Sequence, residues 1–278
     1  MRKTKDATVA QDMKAVNELV DQLTLFDDDL MSRVFDGNIT ATELILRIIM
    51  GEEVKVLKVN SQNTLKNPEI GGRNIVLDVR ALDVNGREIN IEVQGNAEGA
   101  HVKRARFHSA MIDSRSLKAG QDFKEMKDSY VIFIYKGDKF RQGLPIYHID
   151  RYVEEKEVPF GDGSHIIYVN GSYIGDDEIG YLIRDFYQKN AKDIFYKELA
   201  DGVKHFKENE EGREIMCEAV EKYAKEYAKV CADEREFYAN VKSVRNLMEN
   251  VGFSLEQALD GLGIQGDSRE KIAEQLHA

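Results

Sequence analysis

Asp78, Glu92 and Gln94 have the residue types and the spacing to hold a hard cation on a rigid frame. Residues Ile75 to Leu82 read Ile-Val-Leu-Asp-Val-Arg-Ala-Leu, and residues Glu88 to Gln94 read Glu-Ile-Asn-Ile-Glu-Val-Gln. Side chains alternate faces along a strand. The pattern puts Ile75, Leu77, Val79 and Ala81 on one face of a first strand, with Asp78 and Arg80 on the other. On the second strand Ile89, Ile91 and Val93 form the apolar set, and Glu88, Asn90, Glu92 and Gln94 face away. The connection Asp83-Val-Asn-Gly-Arg87 contains Asn-Gly, a strong hairpin signal. Matching the apolar faces requires a loop of odd length, Val84-Asn85-Gly86, with Gly86 in the left-handed region. That register sets Asp78 opposite Glu92. A two-residue Asn-Gly loop sets Asp78 beside Val93 and mixes the faces, which excludes it.

Two carboxylates side by side on strands repel each other unless a cation lies between them. Mg²⁺ takes one or two carboxylates and completes its shell with waters and phosphate oxygens. The same spacing also fits a solvated sheet face whose acids pair with Arg80 and Arg87. Spacing alone leaves both readings open.

Asp78, thirteen further residues, then Glu92-Val93-Gln94 resembles the metal-binding core of the PD-(D/E)XK nuclease superfamily. It is most similar to the Rpn-type branch of recombination-promoting nucleases and transposases, which writes the last element as Glu-x-Gln. Flanking stretches extend the likeness: Asp27-Asp28-Asp29-Leu30-Met31 and Thr42-Glu43-Leu44 before the hairpin, Lys103-Arg104-Ala105-Arg106 and Leu144-Pro145-Ile146-Tyr147 after it. The resemblance covers roughly Leu23 to Tyr196. It implies a Mg²⁺-dependent DNA endonuclease, with Mn²⁺ able to substitute. Asp78, Glu92 and Gln94 would be the catalytic residues, and Asp78, Glu92, the Val93 carbonyl and a helical Glu43 the metal ligands. Glu43 also closes Thr40-Ala-Thr-Glu43, a capping box, and both roles stay open. Gln94 departs from the many superfamily members with Lys at this place, so the positive charge near the attacked phosphate is missing. An inactive or weak descendant that binds DNA or a protein with the same fold is the alternative.

The formal net charge of −11 argues against a general nucleic-acid coat, because affinity for DNA comes largely from Lys and Arg on phosphates. Distribution matters more than the sum. Between His101 and Ala119 five basic residues, Lys103, Arg104, Arg106, Arg115 and Lys118, stand against one acid, Asp113. Lys103, Arg104 and Arg106 are the expected DNA contacts, directly after the Glu92–Gln94 strand. A solvated basic helix face is the plainer reading of the same residues.

The chain of 278 residues suits one large domain, or a domain with a helical extension. No stretch approaches the ~20 apolar residues of a membrane helix, and the N-terminus lacks the apolar core of a signal peptide. Cys217 and Cys231 form no CxxC or Cys/His cluster and read as reduced thiols of a cytoplasmic protein. A homo-oligomer is compatible with the sequence.

The positioning elements follow from periodicity and breakers. Met1–Ala10 reads as a frayed end within a flexible segment, residues 1–20. Helices are expected over Met13–Leu25, Asp28–Phe35 and Thr40–Met50, a strand over Val54–Asn60, and a Pro/Gly loop over Asn67–Arg73. Ala100–Ser116 is helical with Val102, Ala105 and Ile112 on its apolar side, and Val131–Tyr135, Leu144–Ile149 and Ile166–Asn170 are strands. From Asp177 onward only amphipathic helices remain: Glu178–Asn190, Ile194–Glu208, Glu214–Ala232, Glu234–Asn250, Ser254–Leu259 and Ser268–Leu276. The expected fold is α/β, a restriction-endonuclease-like mixed sheet flanked by helices over residues 21–176, followed by a helical region over 177–278. His148 and His165 read as structural, and neither His101 nor His108 has a nucleophile to serve. Gly71-Gly72-Arg73 reads as a turn, and Tyr223, Tyr227 and Val230 as a helix-packing stripe.

Overall fold

The structure is a computed structural model and describes residues 13–277; the frayed end expected over Met1–Ala10 lies outside them. Residues 13–22 are helical. Then follow α1 (Asp28–Phe35), α2 (Ile39–Met50), β1 (Val56–Leu65), β2 (Ile75–Asp83), β3 (Glu88–Gln94), α3 (Val102–Asp113) and β4 (Ser129–Tyr135). The core continues through β5 (Ile146–Ile149), β6 (Tyr152–Val153), β7 (Val158–Pro159), β8 (Ser164–Asn170), α4 (Glu178–Tyr187) and α5 (Lys197–Glu208). The remaining helices are α6 (Glu210–Val251), α7 (Leu255–Gly261) and α8 (Asp267–His277).

Six strands form one mixed sheet in the order β1-β2-β3-β4-β8-β5. β1, β2 and β3 are antiparallel neighbours, β3, β4 and β8 run parallel, and β5 returns antiparallel on β8. The central parallel strands are buried on both faces, which explains the near-continuous apolar run Tyr130-Val-Ile-Phe-Ile134 in β4. α1 and α2 pack on β1, and α3 packs on β4 and β8. This is the expected mixed sheet flanked by helices, with a helical C-terminal region.

The chain divides into two compact units, one ending at Glu218 and the other running from Ala219 to Ala278. α4 and α5 pack against α2, so both belong with the sheet rather than with the helices after it. In the second unit Val241, Val244, Ala258, Leu259, Ile264 and Ile272 share a core that Phe237 also joins. Of the expected stripe Tyr223, Tyr227 and Val230, the first and last are exposed, and the side chain of Tyr227 lies outside the described ones. The expected break between Ala232 and Glu234 does not occur either: α6 runs through it, since nothing there removes a backbone donor or clashes with the preceding turn.

Candidate functional site

The hairpin has the register that the apolar pattern demands. Val79 pairs with Ile91, Arg80 with Asn90, Ala81 with Ile89 and Leu82 with Glu88. The loop is Val84-Asn85-Gly86, with Gly86 at φ +81°. Asp83 builds this loop: its carboxylate accepts from Asn85 N at 2.9 Å, Arg87 N at 2.8 Å and Arg87 Nε at 2.6 Å. Arg87 also pairs with Glu52, and Arg80 grips Glu88 through Nε at 3.0 Å and Nη2 at 2.7 Å. Neither arginine pairs with Asp78 or Glu92, so the solvated sheet face does not describe this hairpin.

Instead the two acids are buried. Glu92 is fully enclosed and Asp78 is 8% exposed. Backbone amides of the two strands hold them together: Asp78 N donates to Glu92 Oε1 at 3.3 Å, and Val93 N, next to Glu92, donates to Asp78 Oδ2 at 3.0 Å. Gln94 Nε2 lies 3.4 Å from the same Asp78 oxygen. The chain passes tightly over this amide, because a Cβ on Gly99 would lie 2.0 Å from Gln94 Oε1. Glu92 collects further donors, Asn90 Nδ2 at 3.0 Å and Arg104 Nη2 at 3.1 Å, and His108 Nδ1 lies 3.5 Å away. Burial first, then the charges of Glu92 and Asp28, push the Asp78 carboxyl up to about 8 against the Val93 amide and Arg104, which favour its charged form.

One acid of this group is not where the sequence pattern placed it. Glu43, expected among the metal ligands, turns away: it accepts from Val56 N at 2.9 Å and pairs with Lys55 at 3.4 Å, tying α2 to the start of β1. It is not the end of a capping box either, because Asn38 caps α2 by accepting from Ala41 N. The acid that approaches from the helices is Asp28, in the first turn of α1. Its carboxyl is held above the ordinary range by burial first and by Asp29, with Glu92 adding to the effect. The run Asp27-Asp28-Asp29 contained the signal, but three adjacent acids do not reveal which one points inward.

Asp28 is steadied by a strained residue. Gln62 sits inside β1 at φ +48°, a conformation that costs any residue with a Cβ, and its Nε2 donates to Asp28 Oδ1 at 2.9 Å. Ser61 pairs with Val79 and Asn63 with Leu77, yet Gln62 and Asp78 between them are not paired. Ile75 and Leu77 join the core under α3 with Ala105, Met111 and Phe133, whereas Val79 and Ala81 are buried outside that cluster. The four residues expected on one face are all buried, but they divide between the cluster under α3 and the rest of the core.

Asp28, Gln62, Asp78 and Gln94 open into a cleft of about 1090 Å³. Its cationic side is Arg73, Lys103, Arg104 and Arg106. Lys103 and Arg106 are exposed, as expected of phosphate contacts, and Arg73 joins them from a loop that reads as a simple turn. Arg104 is different, since it is committed to Glu92. Val102 is exposed rather than part of the apolar side of α3, and buried Met111 fills that side with Ala105 and Ile112. His108, with no evident role in the sequence, is buried beside Glu92, Asn90 and Arg104.

Among the described residues no three or more His, Cys, Asp or Glu side chains form a preassembled metal cluster. The donor set nevertheless suits a hard divalent cation: Asp78 and Glu92 are adjacent oxygen ligands whose mutual repulsion a cation relieves, and Mg²⁺ needs no more than two carboxylates. Asn90 Oδ1, two residues before Glu92, is buried without a partner, so the polar network here is incomplete as it stands. No helix among the described residues is long and apolar enough to cross a membrane.

Neither a curated relative nor a solved structure matches the chain. A family model does: the one described as PD-(D/E)XK nuclease family transposase matches residues 37–172, from the turn before α2 to the end of β8. That span contains Asp78, Glu92, Gln94 and all of α3, while Asp28 precedes it. Residues 37–172 are thus similar to the PD-(D/E)XK nuclease family transposases.

Proposed function

We propose that the protein is a metal-dependent DNA endonuclease that hydrolyses phosphodiester bonds in the cleft between β2, β3 and α3. The observation that carries this reading is the buried Asp78–Glu92 pair, held together by the Asp78 and Val93 amides, with Asp78 lining a cleft that Arg73, Lys103, Arg104 and Arg106 also line. Asp78 and Glu92 would hold Mg²⁺, with Mn²⁺ as a substitute. Such an ion polarises the scissile phosphate and lowers the pKa of a bound water.

The chain's own residues supply the rest. Gln94 is fixed by the close pass of Gly99, and its uncharged amide orients a water or a phosphate oxygen at the edge of the acid pair. Lys103 and Arg106 stand three residues apart on α3, on one side of the helix, and with Arg73 they hold the DNA backbone. The acidic excess elsewhere restricts DNA to this face. The occasion would be DNA rearrangement, recombination or transposition, a reading that the word transposase in the family description supports.

The test is incubation of supercoiled plasmid with Mg²⁺ or Mn²⁺, beside a chelator control. Nicked or linear product that requires the metal supports the reading. Intact plasmid with both metals, together with retained salt-sensitive DNA binding, reduces the protein to a binding module with a nuclease fold.

A further inference from the structure

Phosphodiester hydrolysis gathers negative charge on the phosphate oxygens, and a fixed cation or donor there is worth a large part of the rate. Gln94, the side chain on the hairpin nearest Asp78, carries no charge. Arg80 and Arg87 are bound to Glu88, Asp83 and Glu52. Lys103, Arg106 and Arg73 line the cleft but make no hydrogen bond to Asp78 or Glu92. Among the described arginines and lysines that line the cleft, Arg104 alone donates to one of the two acids.

We propose that Arg104 is a catalytic residue that supplies the missing positive charge to the attacked phosphate, rather than one more grip on the DNA backbone. This rests on the nuclease reading. The placement is specific. Arg104 and His108 stand four residues apart on α3 and therefore on one helix face. Arg104 Nη2 is 3.1 Å from Glu92 Oε2, and its Nε is 3.4 Å from His108 Nε2. His108 is itself enclosed, 2% exposed, and rests against Phe133 of β4. A guanidinium has five donors in a planar fork. Two are used in these contacts, and the side chain remains 37% exposed toward the cleft, so the other edge of the fork is free for a phosphate oxygen. Glu92 thus does two things: one oxygen meets Asp78 and Asn90, and the other fixes Arg104.

The experiment separates chemistry from binding. Single-turnover cleavage of plasmid with Mn²⁺ gives the rate constant, and fluorescence anisotropy with a DNA duplex in chelator gives affinity. Wild type, Arg104→Ala, Arg104→Gln, Arg104→Lys and the double variant Arg104→Ala/Gln94→Lys are compared, each with a melting curve. The expected result is a fall of ~100-fold in the cleavage rate for Arg104→Ala, the scale of losing one preorganised donor, with affinity changed by less than about 3-fold. Arg104→Lys should keep part of the rate. A lysine at 94 lies beside Asp78, so the double variant should recover at least about 10-fold. If Arg104→Ala melts early, Arg104→Gln answers the same question, because its amide still bonds to Glu92 without charge. Loss of affinity at unchanged rate makes Arg104 a backbone contact and overturns the proposal. So does a full rate in Arg104→Gln, or a double variant as slow as the single. If wild type cuts with neither Mg²⁺ nor Mn²⁺, the nuclease reading itself falls, and this inference with it.

Discussion

Replacing Asp78 by Asn tests the buried acid pair without needing any substrate. In the metal-free protein Asp78 titrates near 8 instead of at its ordinary 3.8. A carboxyl whose folded pKa is raised contributes stability that is complete below the unfolded pKa and is lost as pH rises through the folded one. Wild type in chelator should therefore become less stable from about pH 4 to about pH 8. The distance between these two values sets a ceiling of about 6 kcal/mol, and water entry around the ionised pair reduces this to about 2–3 kcal/mol in practice. Asn keeps an oxygen for the Val93 amide but cannot ionise. The Asp78→Asn variant should thus be the more stable protein at pH 8 in chelator, and the gap should close toward pH 4. Urea unfolding at pH 4.5, 6 and 8 measures this directly. Adding Mg²⁺ at pH 8 should stabilise wild type, by mass action on the folded state, and leave the variant unmoved. Parallel pH profiles for the two proteins, with the same stability gap at pH 4.5 as at pH 8, would refute the reasoning.

Four other outcomes follow from individual contacts. Asp83→Ala leaves two loop amides without their acceptor and half-buried Arg87 with Glu52 alone, and should cost about 2–3 kcal/mol in urea unfolding, whereas Asn85→Ala should cost far less. Gln62→Gly releases the left-handed strain and should raise the melting temperature by about 2–4 °C, while weakening Mn²⁺ binding measured by calorimetry because Asp28 loses its amide donor; a lower melting temperature would show that the strain is not real. Lys207 is buried with its ammonium on the carbonyls of Asp21, Leu23 and Lys189, so Lys207→Met should destabilise by about 2–3 kcal/mol in the same assay. Replacing Arg73, Lys103 and Arg106 together by Ala should flatten the log–log dependence of DNA affinity on salt by roughly one unit per lost contact, with little change in melting.

Much of the fold and of the hairpin could be read from residues alone, for physical reasons that are easy to locate. Register in a hairpin is fixed by loop length and by which face must be buried, and Asn85-Gly86 together with the alternating Ile and Val determine both. The central parallel strands announce themselves by unbroken apolar runs. What stayed hidden depends on tertiary approach. Asp28 is held at the site by Gln62, which adopts a conformation that no local rule favours for glutamine, and Ile75 and Leu77 pack under α3 apart from Val79 and Ala81. Glu43 and Thr40 spell a capping box, but Asn38 lies two residues earlier and takes the cap, which frees Glu43 to bind β1. Arg104 and Arg106 look equivalent in sequence. They differ by about 200° around a helix, and only one of those directions leads to Glu92.

The most direct measurement is plasmid cleavage by wild type and by Asp78→Ala, run side by side with Mn²⁺ and with chelator, using protein whose melting curves confirm folding. The expected result is metal-dependent cleavage by wild type and a loss of at least ~100-fold in the variant, as the site loses a ligand for the ion that activates water. Cleavage that persists in chelator, or full activity in the folded Asp78→Ala protein, would contradict the assignment of Asp78 and Glu92 as the catalytic metal pair.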